Sequence, residues 1–149
     1  MLTFPTHFLV GAALSYLFGF SLLWGALGGM APDLDLFTPW HRGPFHSIFM
    51  FPLMMGFAYL VTRSRKKSIG AGIGFAAHVL TDWLDRDTLL LAWPLSSSAT
   101  GLGLTEWDDP FVNVSLCLLS VVAIIAVKKR REKRPWKDVI MDFVPKIRK

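Results

Sequence analysis

Residues 8–30, FLVGAALSYLFGFSLLWGALGGM, form the stretch whose conformation decides the fold. If this apolar stretch were one straight helix, the flanking residues His7 and Asp33 would lie about 39 Å apart along its axis. A turn near Gly19 and Ser21 would instead divide it into a hairpin of two short helices. The hairpin brings His7 and Asp33 to the same end. We therefore predict the hairpin in preference to a single span, although the residues alone leave both open.

Three further apolar regions follow, at 48–61, 69–91 and 111–127. A helix needs roughly 17–25 residues to cross a hydrocarbon core, so each region could span a membrane, the first of them with help from residues 44–47. Hydrophobic residues make up 52% of the 149 residues, compared with roughly 45–50% in soluble domains. We predict an all-α, polytopic integral membrane bundle with about three full spans plus the N-terminal helical hairpin, or four spans if the first stretch is straight.

The positive charge of the chain is concentrated in two blocks. Of the 16 Lys and Arg residues, ten lie in residues 128–149 and four in RSRKK at 63–67. Basic blocks beside apolar regions are typical of the cytoplasmic flanks of membrane helices, so they account for the net charge without nucleic acid. We predict that both blocks face the cytoplasm at an inner membrane, and that the acidic loop 96–110 lies on the opposite face. The predicted organisation is a membrane domain of residues 1–127 followed by a basic cytoplasmic tail.

The histidines and several aspartates are brought together by this arrangement. They are His7, His41, His46 and His78 with Asp33, Asp35 and Asp82. His78 and Asp82 are four residues apart, so both leave one face of a helix and could reach the same ion. Mixed nitrogen and oxygen ligands suit Zn²⁺, with Mn²⁺ or Fe²⁺ as alternatives, and there are enough ligands for two ions. The single cysteine excludes a thiolate cluster.

Each of these groups also has a simpler interpretation. His78 and Asp82 could form a hydrogen bond that only stabilises helix packing. The aspartates of residues 33–35 could cap a helix. The polar segment 85–87 is predicted to be a surface ion-pair cluster, with an orienting role for Asp85 left open.

Five short motifs resemble, in the same order, those of the membrane-bound metal-dependent hydrolases, a family of small bacterial and archaeal inner-membrane proteins. They are THFLVG (6–11), APDLD (31–35), HRGPFHS (41–47), HVLTD (78–82) and LAWPL (91–95). The resemblance implies the metal ligands His7, Asp33, Asp35, His46, His78 and Asp82, with His41 and Arg42 as further site residues. That family often has Thr where this chain has Phe45. The order of the motifs is also similar to that of zinc-dependent phospholipases C, which suggests phosphoester chemistry.

Residues and resemblance together predict an integral-membrane, metal-dependent hydrolase that acts on a phosphoester or lipid-linked substrate at the membrane interface. Metal would activate water, Arg42 would hold substrate oxygens, and His41 would be a further ligand or a general acid. The alternative is a non-enzymatic membrane protein with a structural or transported metal ion. The expected surroundings are membrane lipids, and the oligomeric state is left open.

Overall fold

The computed structural model describes residues 3–37, 41–106 and 108–133. Its helices are α1 (Thr3–Leu17), α2 (Leu22–Met30), α3 (Met50–Thr62), α4 (Arg65–Trp83) and α5 (Pro110–Glu132), with 3₁₀ helices at Pro32–Phe37 and Pro44–His46. Two isolated bridges, Asp85 with Thr105 and Leu89 with Thr100, organise the loop between α4 and α5. The prediction of an all-α fold is confirmed for these residues, none of which forms a named strand.

The first apolar stretch is a hairpin, as predicted. Gly19 in the turn has a φ of 92°, which glycine adopts at little steric cost. The hydroxyl of Ser15 donates to the carbonyl of Ser21 at 2.8 Å across the turn. The side chain of Ser21 in turn accepts a hydrogen bond from the backbone N–H of Trp24 and caps α2. One glycine and two serines therefore reverse the chain between two helices.

Close backbone contacts hold the hairpin against α4. A Cβ atom built on Gly74 of α4 would lie 1.9 Å from the carbonyl oxygen of Gly25, and one built on Gly28 would lie 2.0 Å from that of Ala71. We call Gly25, Gly28 and Gly74 the glycine seam. Small residues of this kind let helix backbones approach closely in membrane proteins. The seam brings the middle of α4, at residues 71–74, against residues 25–29 of α2.

The described residues of the two basic blocks, 63–67 and 128–133, lie at the same end of the bundle. Gly70, near the start of α4, is close to the hairpin turn, since a Cβ atom there would be 3.1 Å from the carbonyl oxygen of Ser21. Arg131, near the end of α5, donates to the carbonyl of Tyr16 at 2.6 Å, and its guanidinium carbon is 4.4 Å from the centre of the Tyr16 ring. We call this the basic end and the opposite end, where α4 finishes, the site end.

One described helix is long and apolar enough to cross a membrane, namely α5 with 23 residues. The apolar helix α3 has 13 residues, which corresponds to about 20 Å. The structure therefore supports one span by length and composition, and the three or four spans of the sequence analysis stay a prediction.

Two predicted helix boundaries are wrong. The helix of the 48–61 region does not extend into residues 44–47, because Pro44–His46 forms a separate 3₁₀ helix and α3 begins at Met50. The helix of the 69–91 region ends at Trp83. After that residue the backbone pairs with the loop instead, with the Arg86 N–H donating to the Thr105 carbonyl at 3.0 Å.

The predicted division at 127/128 lies inside α5, which continues to Glu132. Residues 134–149, which hold most of the predicted basic tail, lie outside the described residues. The division into a membrane domain and a tail stays a prediction.

Candidate metal centre

The six predicted metal ligands meet at the site end of the bundle. They come from α1, from both 3₁₀ helices and from α4, and each is at most 6% exposed; they are His7, Asp33, Asp35, His46, His78 and Asp82. Buried polar side chains of this kind are normally hydrogen-bonded or bound to an ion. The positions of the ring protons on the histidines therefore decide which atoms of the cluster can bind an ion.

His78 is oriented by the backbone of α2. Its Nδ1 lies 2.6 Å from the carbonyl oxygen of Gly29. A carbonyl oxygen can only accept a hydrogen bond, so we assign the ring proton to Nδ1. The Nε2 atom of a neutral His78 ring therefore carries a lone pair.

His7 and His46 are oriented in the same way. The hydroxyl of Thr81 donates to the carbonyl of His78 at 2.8 Å, so it accepts from His7 Nδ1 at 3.2 Å. His46 Nδ1 donates to Asp35 Oδ2 at 3.1 Å. Each imidazole thus uses Nδ1 as an outward donor and leaves Nε2 for the interior of the cluster.

The inward-facing atoms lie within a few ångströms of one another. Asp82 Oδ2 is 3.2 Å from His46 Nε2 and 3.3 Å from His78 Nε2, while Asp82 Oδ1 is 3.3 Å from His7 Nε2. His46 Nε2 and His78 Nε2 are 3.1 Å apart. Asp33 Oδ1 lies 3.6 Å from His78 Nε2. Three lone pairs and two carboxylates therefore face one small volume.

Such a cluster of acceptors needs a positive charge at its centre. Two groups of residues have ligand atoms within 4.8 Å of one another, His7 with Asp33 and His78, and His46 with His78 and Asp82. Within the described residues, the buried Asp33 Oδ2 atom has no hydrogen-bond partner. An unpartnered buried carboxylate oxygen is costly. The donor set therefore fits a divalent metal ion with nitrogen and oxygen ligands.

The pKa shifts outside the long helices agree with this charge balance. Burial raises the pKa of Asp33. Burial alone would lower the pKa of His46, but the carboxylates of Asp35 and Asp82 outweigh it and raise the pKa of His46 to about 9. In the metal-free chain a proton on His46 thus supplies positive charge that a metal ion would otherwise bring.

Asp35 lies on the outer side of the His46 ring. Its Oδ2 accepts from His46 as described, and its Oδ1 accepts from His41 Nδ1 at 2.8 Å. Burial opposes the charged form of Asp35, but these hydrogen bonds hold its pKa below the usual value. Asp35 belongs to neither group of converging ligand atoms. A carboxylate that binds the outer nitrogen of a ligating histidine commonly fixes the ring for the metal.

Replacing Asp35 with asparagine should weaken metal binding without abolishing it. The amide cannot accept from both imidazoles in the same way, so the tautomer of His46 is no longer fixed. We expect a loss of metal affinity of about 10–100-fold, measured by competition with a chromogenic chelator. Asp108→Asn is the matched control, because Asp108 is exposed and belongs to neither group of converging ligand atoms. An affinity equal to wild type would refute the orienting role, and complete loss of metal would make Asp35 a direct ligand.

Arg42 is held by the loop between α4 and α5. It has a φ of 61°, an uncommon conformation for a residue with a side chain. Its guanidinium donates to Asp85 Oδ2 at 2.7 Å and to the carbonyl of Asp87 at 2.8 Å. Its nearest distance to Asp82 is 3.9 Å. The expected contact of Arg42 with substrate oxygens stays a prediction. The contacts that the structure shows connect the segment 41–46 to the loop between α4 and α5.

The prediction of a surface cluster at 85–87 is wrong for Asp85. This residue is 3% exposed and binds Arg42, in line with the orienting role that was left open. Sequence reasoning also missed Thr81 and the Gly29 carbonyl, which orient His7 and His78. Thr81 could have been found from its place directly before Asp82 in the HVLTD motif. A backbone carbonyl gives no such signal.

The last motif, LAWPL, supports the second 3₁₀ helix. Ser47 donates its hydroxyl to the carbonyl of Trp93 at 2.5 Å, and the Ile48 N–H donates to the carbonyl of Leu91 at 3.0 Å. These bonds fix the chain directly after His46. The motif therefore contributes by positioning the site.

Comparison with known proteins places the chain in a membrane protein family. A family model described as "YdjM inner membrane protein" matches residues 1–141. No curated protein and no solved structure matches the chain. The match agrees with the inner-membrane character predicted from the sequence, and its description names no hydrolase activity. Because the match covers nearly the whole chain, the protein belongs to the YdjM inner membrane protein family.

Proposed function

We propose that the protein is a multi-pass inner-membrane, metal-dependent hydrolase that acts on a phosphoester or lipid-linked substrate. The observation that carries the proposal is the buried cluster in which three imidazole Nε2 atoms and two carboxylates face one another. An ionisable residue in a membrane protein is expensive to bury and marks a functional site by default.

The metal would be held by the two groups that share His78. A neutral imidazole nitrogen has one lone pair, so His78 can ligate only one ion at a time. A two-ion centre would therefore divide the remaining ligands, with Asp82 able to offer both of its oxygens. Bound Zn²⁺ or Mn²⁺ would polarise a phosphoester oxygen and make water a better nucleophile at neutral pH.

His41 and Asp35 are placed to move a proton. His41 Nδ1 is paired with Asp35, while the His41 side chain is 39% exposed and lines a cavity of about 600 Å³. Hydrolysis breaks the ester P–O bond and leaves an oxygen that needs a proton. His41 could deliver a proton to that oxygen from its second ring nitrogen.

We also propose the membrane orientation from the two ends of the bundle. The residues at the basic end include Arg63, Arg65 and Arg131, and positively charged flanks are retained on the cytoplasmic side. The metal centre then lies near the opposite surface. α5 supplies one span, and α4, with 19 residues, would supply another of about 28 Å.

Transport of the metal is disfavoured by the path below the site. A transported ion needs polar groups between the metal centre and the basic end. On α4 that path is residues 69–77, IGAGIGFAA. This segment includes Gly74, whose backbone is pressed against α2 at the glycine seam. A catalytic ion that stays at one surface fits this arrangement better.

The test of the proposal is metal-dependent phosphoester hydrolysis. Purified protein in nanodiscs is loaded with Zn²⁺ or Mn²⁺ and given p-nitrophenyl phosphate or bis(p-nitrophenyl) phosphate, both soluble in water. We expect p-nitrophenol release that a chelator abolishes and added metal restores. His78→Ala should be inactive, and Asp108→Asn, at an exposed position, should match wild type. Release that resists chelation, or that His78→Ala retains, would overturn the proposal.

A further inference from the structure

An apolar groove runs along the bundle between α2 and α3. Both helices pack against α4, and the groove between them has a volume of about 490 Å³. Its lining includes Leu27 of α2, Leu53 and Phe57 of α3, and Phe75 of α4. The first three of these side chains are 40%, 62% and 59% exposed, whereas Phe75 is 3% exposed. The groove is therefore open along its length and closed at its base by α4.

The groove ends against the segments that carry the metal ligands. Leu34 and Phe45 also line it, and they are 63% and 42% exposed. Leu34 lies between Asp33 and Asp35 in the first 3₁₀ helix, and Phe45 directly precedes His46 in the second. The two 3₁₀ helices thus present polar side chains to the metal centre and apolar side chains to the groove.

We propose that the groove binds the hydrocarbon chain of a membrane amphiphile, whose phosphate headgroup is the group presented to the metal centre. This inference rests on the proposed function and names its substrate class, a long-chain phosphoester that enters sideways from the bilayer. The volume is in the range of small-molecule sites, about 300–1,000 Å³. The metal ion proposed for the buried cluster and the apolar groove would complement the headgroup and the hydrocarbon chain of such a molecule, respectively.

A partner helix fits the same groove less well. A helix with its side chains is about 10–12 Å across and rises about 5.4 Å per turn. The groove volume of about 490 Å³ therefore holds only about one turn of a helix. A single hydrocarbon chain can lie along the groove and, unlike a helix, needs no contact area outside it.

The experiment compares two substitutions on α3. Leu53→Trp fills the groove, and Leu60→Trp is its control, since Leu60 is 63% exposed on the same helix but does not line the groove. The probe is hexadecyl phosphate with a diazirine near the end of the chain, photolysed on metal-loaded protein in nanodiscs. Adducts are mapped by mass spectrometry. In parallel, phosphate release from butyl and hexadecyl phosphate is measured for all three proteins.

We expect wild type and Leu60→Trp to carry adducts on groove residues. In Leu53→Trp the amount of this labelling should fall by at least about tenfold, because the indole fills the groove. We also expect hexadecyl phosphate to have a lower KM than butyl phosphate except in Leu53→Trp. Equal KM values for both chain lengths, unaffected by Leu53→Trp, would refute binding of the hydrocarbon chain in the groove but not the proposed hydrolase activity. Specific labelling without phosphate release would support the groove and refute the reaction. A change in oligomeric state confined to Leu53→Trp, with labelling unchanged, would assign the groove to a protein partner instead.

Discussion

Replacing His78 with alanine should remove the bound metal while the chain still inserts in the membrane. His78 is shared by both groups of converging ligand atoms, so a single ion held by either group loses a ligand, and in a two-ion centre one of the ions does. Loss of an orienting neighbour alone costs about 10–100-fold in affinity, so loss of the ligand should cost at least this much. Elemental analysis after gel filtration in detergent should show metal in wild type and, if one ion is bound, about a tenth or less in the variant; if two ions are bound, at least one of them should be lost. A value near one equivalent indicates a single ion, and a value near two indicates a divided ligand set.

A second variant separates metal binding from folding. Asp33→Asn keeps the size of the side chain but removes a carboxylate whose Oδ2 has no hydrogen-bond partner among the described residues. Burial raises the pKa of Asp33, so the ionised form costs stability when no metal is bound. We therefore expect the metal-free variant to be at least as stable as metal-free wild type, yet unable to retain metal. If His78→Ala and Asp33→Asn both keep wild-type metal content, the cluster is only a packing network.

Replacing Gly74 with alanine should destabilise the bundle strongly. The added Cβ atom would lie 1.9 Å from the carbonyl oxygen of Gly25, and backbone cannot move aside as a flexible side chain can. Overpacking costs about 1–3 kcal/mol or more, which exceeds the gain of about 1 kcal/mol from replacing glycine with alanine in a helix. The melting temperature in detergent should fall, measured by circular dichroism.

The control for this prediction is Gly56→Ala on α3. A Cβ atom there meets nothing within 4 Å, so only the helix propensity changes and the melting temperature should stay equal or rise. Equal melting temperatures for Gly74→Ala and Gly56→Ala would show that α2 and α4 are not pressed together at the seam. Metal affinity should follow the same order, because the seam sets the distance from His78 to the Gly29 carbonyl.

The hairpin could be predicted because His7 and Asp33 had to lie close together to share a metal site, which constrained an otherwise ambiguous apolar stretch. Hydrophobicity alone fits one span or two short helices, but only the hairpin puts His7 beside Asp33. The spacing of His78 and Asp82 on one helix likewise predicted that they would point to the same place. Both inferences depend on short-range geometry, which sequence spacing conveys well.

Other features depend on contacts between distant parts of the chain. Asp85 is buried together with its hydrogen bond from Arg42, 43 residues earlier in the chain. A cluster of charged residues is interpreted as solvated when such a distant partner is not known. The end of α4 at Trp83 is set by pairing of residues 85–89 with 100–105, which competes with helix in an apolar segment. The orientations of the histidine rings depend on acceptors such as the Gly29 carbonyl. Such a backbone acceptor cannot be recognised from the residue type.

The contact between Arg131 and Tyr16 bears on the order in which the protein is assembled. The hairpin is synthesised before α5, the last of the described helices. Arg131, which contacts the tip of the hairpin, and Asn113, which accepts a hydrogen bond from Thr6 at 2.7 Å, both belong to α5. Until α5 has been inserted, α1 lacks both of these partners, whereas the groups that contact the His7 ring, Thr81 and Asp82, already belong to α4. α5 therefore secures α1 only after every predicted metal ligand, from His7 to Asp82, has already been synthesised.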